Sequence, residues 1–332
     1  MSRRAWLGLW IAAAALIVPA AHLALGRGVD WSELLAGTDT VSWRVLTELR
    51  LPRLVVALFA GTALGLAGLA LQSVLRNPLA APELTAVNPS AVLGYLIASG
   101  TGLIDGGSVF SSVLSATVGG LLGGGLLWLV AHRRTSEQTA VLGLLSALAL
   151  TGVVTILIAA RPTGVGGALR WLIGSVEARV AEHVPMIAIP VLAGFVALVL
   201  VADRLEILAV SDSHAHCLGV SPGFWRGVGI GIAVLLASAA VATVGPLAFV
   251  GFVAPHVVRL VFGGRLRRQV VLVAVCGGLF VAASDLIAKA VSLAIQLTGD
   301  GQQVGVPVGA VTCLIGAAAL VAVASSHQES EP

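Results

Sequence analysis

The stretch LRLPRLVVALFAGTALGLAGLALQSVL, Leu49 to Leu75, decides how this chain is read. Its last 22 residues, Leu54 to Leu75, carry no acidic, basic or histidine side chain. Wound as a helix at 1.5 Å per residue, they cover about 33 Å and cross the ~30 Å hydrocarbon core of a bilayer. Arg50 and Arg53 stand just before this run, around Pro52. The proline reads as the stop from which the helix starts, just inside a charged rim.

Working outward, comparable apolar runs lie near 5–25, 88–104, 109–131, 139–160, 184–203, 224–244, 247–262, 270–293 and 307–324. With 54–75 they make about ten spans. The eighth is short and holds Pro255, so it reads as a bent or partial helix. The fold class is therefore all-α, a single polytopic membrane domain over residues 1–332. Composition agrees, with 58% hydrophobic and 11% charged residues and a mean hydropathy of +1.01. A soluble domain of 332 residues needs more charge to cover its surface. Forty glycines suit close packing of membrane helices.

The first 26 residues resemble a secretory signal, with Arg3 and Arg4 before an apolar stretch. That stretch is long enough to span, so a retained first helix is expected. An inside N-terminus puts eleven of the 19 basic residues on the inner side, including those of HRR (132–134) and RLRR (265–268). It also puts the tail 325–332 inside. Arg50 and Arg53 then fall outside, where the positive-inside rule gives them no reason.

The chain has one lysine, Lys289, followed by alanine, so it has no phosphate-binding G-x-x-x-x-G-K-[ST] loop. No metal-ligand spacing appears among Cys217, Cys276 and Cys313, and His214 and His216 point to different helix faces. Asp285 is the acidic residue found within a span, and i,i+4 spacing allows it to pair with Lys289. Orienting Lys289 toward a partner is a second reading of Asp285, and a proton-coupling carboxylate is a third. Asn77-Pro78, Pro82 and Asn88-Pro89 break the helix after 75. Such a segment is either buried in protein beside a cavity or a plain loop. Between spans five and six, Gly164, Gly166 and Gly167 mark a turn, and WLIGSV, from Trp171, suits a short interfacial helix. Between spans six and seven, Ser211 or Asp212 can cap a short helix that Gly219 ends.

Several motifs, in order from about residue 44 to 320, resemble the FecCD-type permeases, membrane subunits of ABC importers for iron–siderophores, haem and vitamin B12. They are LRLPR with GLALQSVLRNPLAAPELTAVNPSAVLG, RWLIGSV, SDSHAHCLGV, GPLAFVGFVAPHVVRL and VPVGAVTCLIGAAAL. The resemblance implies a type II importer permease fold in the bacterial cytoplasmic membrane, with both termini cytoplasmic. It implies a second permease subunit, in a homo- or heterodimer, and two ATPase subunits that hold ATP and magnesium. It further implies an extracytoplasmic binding protein. No cofactor, metal or nucleic acid is expected on this chain, which is a transport subunit and not an enzyme.

The same resemblance gives residues their roles. Ser211, Asp212, Ala215, His216, Leu218, Gly219 and Val220 belong to a coupling segment, 211–220, that sits on the ATPase; Ser213 and His216 depart from the family pattern. Arg50, Arg53 and Lys289 are expected to receive carboxylates of the binding protein, Lys289 standing where arginine is usual. A loop over about 293–306 is longer than the family pattern. Ser146, Thr151, Thr155, Gln72 and Asn77 are candidates for the pathway or its gate. An iron–siderophore or related chelate is the expected cargo, with haem or cobalamin as alternatives. A secondary transporter without an ATPase is disfavoured, because paired intramembrane acids are lacking.

Overall fold

Helix α2, Val41–Leu75, is the axis of the molecule. The structure, a computed structural model, describes residues 3–26, 29–30, 32, 40–104, 108–131, 136–160, 173–298 and 305–328. In chain order the other helices are α1 (Arg3–Ala24), α3 (Val87–Gly100), α4 (Val109–Ala131), α5 (Ser136–Ala159) and α6 (His183–Val210). They continue with the short α7 (Asp212–Cys217), α8 (Pro222–Val244), α9 (Val250–Val261), α10 (Leu266–Thr298) and α11 (Val308–Gln328). Among the described residues, six are long and apolar enough to cross a membrane, and Gly8–Ala24, Val250–Val261 and Val308–Val321 are shorter apolar helices. The expected spans thus all find helices. The turn and interfacial helix expected over 161–172 lie outside the described residues.

The packing is central and layered. In an apolar 18-residue stretch of each, α2 and α8 are 78% and 83% buried, and α5 and α6 are 17% and 22% buried. α2 packs against α10, α8, α6 and α9, α3 pairs with α4, and α1 lies on α10. Close contact depends on glycine at two crossings of α2. A Cβ at Gly61 would collide with the Gly277 carbonyl of α10, and one at Gly68 with the Gly251 carbonyl of α9. Small residues let these backbones touch, which gains dispersion contacts where lipid gives no hydrophobic drive.

Pro52 does not start the helix. α2 begins at Val41, where the Thr40 hydroxyl caps the Trp43 N–H at 3.3 Å. It then widens to a π-type turn over Val45–Arg50 before the regular stretch that contains Pro52. The wide turn absorbs the missing donor and the ring's clash with the preceding turn. The expected span therefore begins 13 residues later than the helix does (54 − 41).

The segment after α2 is irregular as expected, and it is buried in protein. Ala80, Ala81, Thr85 and Ala86 are all buried. A 3₁₀ turn, Pro82–Leu84, precedes α3. Asn88 and Pro89 fall in the first turn of α3, where a missing N–H costs no intrahelical bond.

Candidate functional site

Ionic side chains gather at both ends of α2. At the end that carries Arg50 and Arg53, Asp285 of α10 is 1% exposed. Arg53 grips it with two hydrogen bonds, Nε to Oδ2 and Nη2 to Oδ1, both 2.8 Å. The wholly buried His22 of α1 lies 2.7 Å away through Nε2, which must donate because an ionised carboxylate only accepts. The expected Asp285–Lys289 pair is not the one formed. Lys289 donates instead to the His22 carbonyl at 3.2 Å. Arg50 is buried and donates to the carbonyls of Leu23 and Ala24. Two cations thus complete the C-terminal end of α1, where orphan carbonyls and the helix dipole favour positive charge.

Beside this lock opens a polar pocket of about 190 Å³, lined by Arg53, Lys289, Glu177, Ser292 and Gln296 among others. Gly305 and Val306, from the end of the long loop, close one wall, and the Val306 N–H donates to Ser292 Oγ at 2.9 Å. Residues 299–304 of that loop lie outside the described residues. Of the three expected docking residues, Arg53 and Lys289 line this pocket. Arg50 does not, and it is built into the joint between α1 and α2.

At the other end of α2 lies α7. Ser211 caps it, its hydroxyl accepting the His214 N–H at 3.0 Å. A Schellman closure ends it, with the Val220 N–H on the Ala215 carbonyl at 2.9 Å and the Gly219 N–H on the His216 carbonyl at 3.0 Å. Gly219 takes φ 71°, a left-handed conformation that a side chain would strain. Ala215 and Val220 are buried beneath the helix, while Ser213, His214, His216, Cys217, Leu218 and Gly219 are exposed. Asp212 pairs with Arg76 at the end of α2 and with Arg226 of α8, the latter at 3.1 Å. Burial alone would raise the Asp212 carboxyl. Hydrogen bonds and charge from Arg76 and Arg226 outweigh it and hold the group below the usual carboxylate range.

The candidate pathway residues do not converge on one cavity. Ser146 lines an apolar cavity of about 550 Å³ between α3, α4 and α5. Thr151 lines a second of about 190 Å³ with Glu83, Asn88 and Pro246, and its hydroxyl donates to the Ala147 carbonyl at 2.7 Å. Thr155 is exposed and donates to the Thr151 carbonyl at 2.8 Å. Gln72 is buried as a tie, donating to the Gly251 carbonyl at 3.1 Å and accepting from Arg259. Asn77 shapes a turn, its Oδ1 accepting the Leu79 N–H at 2.9 Å.

Sequence reading missed four participants: His22, Arg76, Arg226 and Glu83. Glu83 stands on the irregular segment with both carboxylate oxygens shut from solvent. The Phe249 and Gly251 N–H groups at the start of α9 favour its charged form, yet no donor among the described residues completes a well-formed hydrogen bond to it. Burial pushes its carboxyl up to about 7. The signals were faint: a lone histidine near the end of a first apolar span, and an acid after a proline.

A helix bundle with a buried ionic lock at one end and a capped, exposed short helix at the other narrows the comparison with known proteins. The sequence profile of the FecCD transport family matches residues 9–326. This chain belongs to the FecCD transport family. Among FecCD relatives, the Fe(3+) dicitrate transport system permease protein FecD of Escherichia coli (strain K12) is 37% identical over 297 residues, 87% of this chain and 88% of the relative. The ferric enterobactin transport system permease protein FepG of the same organism is 33% identical over 285 residues, 83% and 81% of the two chains. A solved structure described as a metal-chelate type ABC transporter in an inward-facing conformation superposes with a TM-score of 0.83. It covers 96% of this chain and 98% of that one, at 23% identity, and so shares the fold. As a FecCD protein the chain is a transport permease subunit embedded in a membrane.

Proposed function

We propose that this FecCD permease forms the translocation path for a ferric chelate of the citrate or siderophore class, delivered by an extracytoplasmic binding protein. The observation that carries the cargo class is the 37% identity to the ferric dicitrate permease over 87% of the chain. ATP is hydrolysed on separate subunits docked against α7, and a second permease subunit completes the pathway. The capped helix supports this, because its exposed His214, His216 and Leu218 face outward on a rigid, short-looped base. The α7 end and both termini are then cytoplasmic, and the Asp285 end faces outward.

The outward pocket receives an acidic side chain of the binding protein through Lys289, with Arg53 behind it. Exposed charge steers an oppositely charged partner and acts mainly on association rate. Arg50 supports this indirectly by fixing α1. The test is to co-express the chain with an ATPase, a second permease and a binding protein of the same importer class from its own organism, reconstitute the complex, and follow ATP-driven uptake of iron as ferric dicitrate, with cobalamin and haem as competitors. Uptake that ferric chelates alone compete is expected. Transport of cobalamin instead overturns the cargo, and transport without any ATPase overturns the importer reading. Lys289→Gln is expected to weaken binding-protein association several-fold at low salt, and less at high salt, where screening shortens the field.

A further inference from the structure

α7 is joined by the backbone to α6 on one side and α8 on the other. α2, the central helix, ends beside it without a covalent link. Asp212 joins the two through ion pairs and hydrogen bonds instead. Its Oδ1 receives Nη2 of Arg76, the residue that terminates α2, and its two oxygens receive Nη2 of Arg226 on α8 at 3.1 and 3.3 Å. Arg76 reaches a third element as well, donating from Nε to the Leu208 carbonyl at the end of α6 at 3.0 Å. One carboxylate and two guanidiniums therefore tie the ends of α2, α6 and α8 to the first residue of α7.

The backbone of Arg76 points the same way. It adopts φ 50° and ψ 33°, the left-handed conformation that at a helix end usually falls to glycine. A side chain there carries a strain that glycine avoids, and it persists where surroundings over-determine it. What holds Arg76 is the pair of bonds just described. Arg226 is largely buried on α8 and cannot follow α7 outward without leaving its site.

We propose that Asp212 is a positioning residue that makes α7 and the end of α2 move as one body when the ATPase subunits close. This rests on the reading of α7 as the ATPase-docking helix, and it gives Asp212 a role inward, toward α2, in place of a contact with the ATPase. A displacement of α7 then reaches the irregular segment 76–86, with Glu83 and the start of α3, directly through Arg76.

The test uses the assembled complex in nanodiscs, with spin labels on the native Cys217 and on Leu79→Cys, and with Cys276 and Cys313 replaced by serine. The distance between the labels is measured without nucleotide and with trapped ATP. In the otherwise native protein it is expected to stay constant between the two states. In Asp212→Asn and in Arg76→Gln it is expected to differ between them, while the ATPase still co-purifies in wild-type yield. Asp212→Glu, which keeps the charge, is expected to restore the constant distance. A distance that changes with ATP in the native protein, or stays constant in both variants, overturns the proposal. Loss of ATPase co-purification in Asp212→Asn makes Asp212 a docking contact and overturns it also. If the native chain captures no ATPase, the docking reading itself fails and the inference goes with it.

Discussion

The two ends of α2 solve the same problem in opposite ways. At one end Arg53 meets Asp285, and at the other Arg76 meets Asp212. Each carboxylate also takes a second cationic or imidazole partner, His22 or Arg226. The difference is solvent. The Asp285 side chain is 1% exposed and the Asp212 side chain 47%. A buried pair is held by the cost of leaving either charge alone in a low dielectric, so it works as a lock. An open pair gains little net energy, because water competes for both partners, so it sets where the joined elements sit while adding little to the stability of the fold. Glu83 is a third case, buried with no cation among the described residues. Burial sets what each carboxylate does, more than its partner count.

The largest expected effect breaks the lock. Asp285→Asn keeps the shape but leaves Arg53 without its acid, beside Lys289 and Arg50. Removing one member of a buried pair costs about 3–5 kcal/mol, read as lost thermal stability of the purified chain in detergent. A loss under about 1 kcal/mol, the scale of an open pair, would erase the distinction between the two ends.

Glu83 sharpens the comparison through pH. Its folded carboxyl lies near 7 against an ordinary value of 4.5. The fold therefore holds a proton that the unfolded chain has lost. Stability is full below the ordinary value and declines as pH rises to about 7. Glu83→Gln should remove this slope, gaining on the order of 2–3 kcal/mol over the wild type between pH 5 and pH 8. Parallel pH profiles for the two proteins would mean that water or a cation reaches the carboxylate.

The smallest effect falls on Asp212. Its carboxyl is held below the usual range, so its contribution is present at neutral pH and disappears only as pH falls through that lowered value. Asp212→Asn should cost no more than about 1 kcal/mol at pH 7. Its stability difference from wild type should stay flat from pH 7 to pH 5. A large loss in chemical denaturation would make this end a lock as well.

Much of this architecture was legible in the residues. The apolar runs marked the helices, and Ser211 and Gly219 marked the ends of α7. The α2 start was misplaced, because a proline inside a helix is tolerated once an upstream wide turn makes room, and no local signal announces that turn. Arg53 and Lys289 line one pocket, while Arg50 is buried in the α1 joint.

By itself the sequence determined that this chain spans a membrane, where it does so, and which short segment interrupts the spans. Transfer into a bilayer and helix capping depend on residues within a turn or a run, so they are written locally. Only the tertiary structure decided which charges meet. Arg53 and Asp285 lie 232 positions apart, and Arg76 and Asp212 lie 136 apart. The energy of a charge depends on what packing brings within a few ångströms and on how much water it leaves there, and neither is written along the chain.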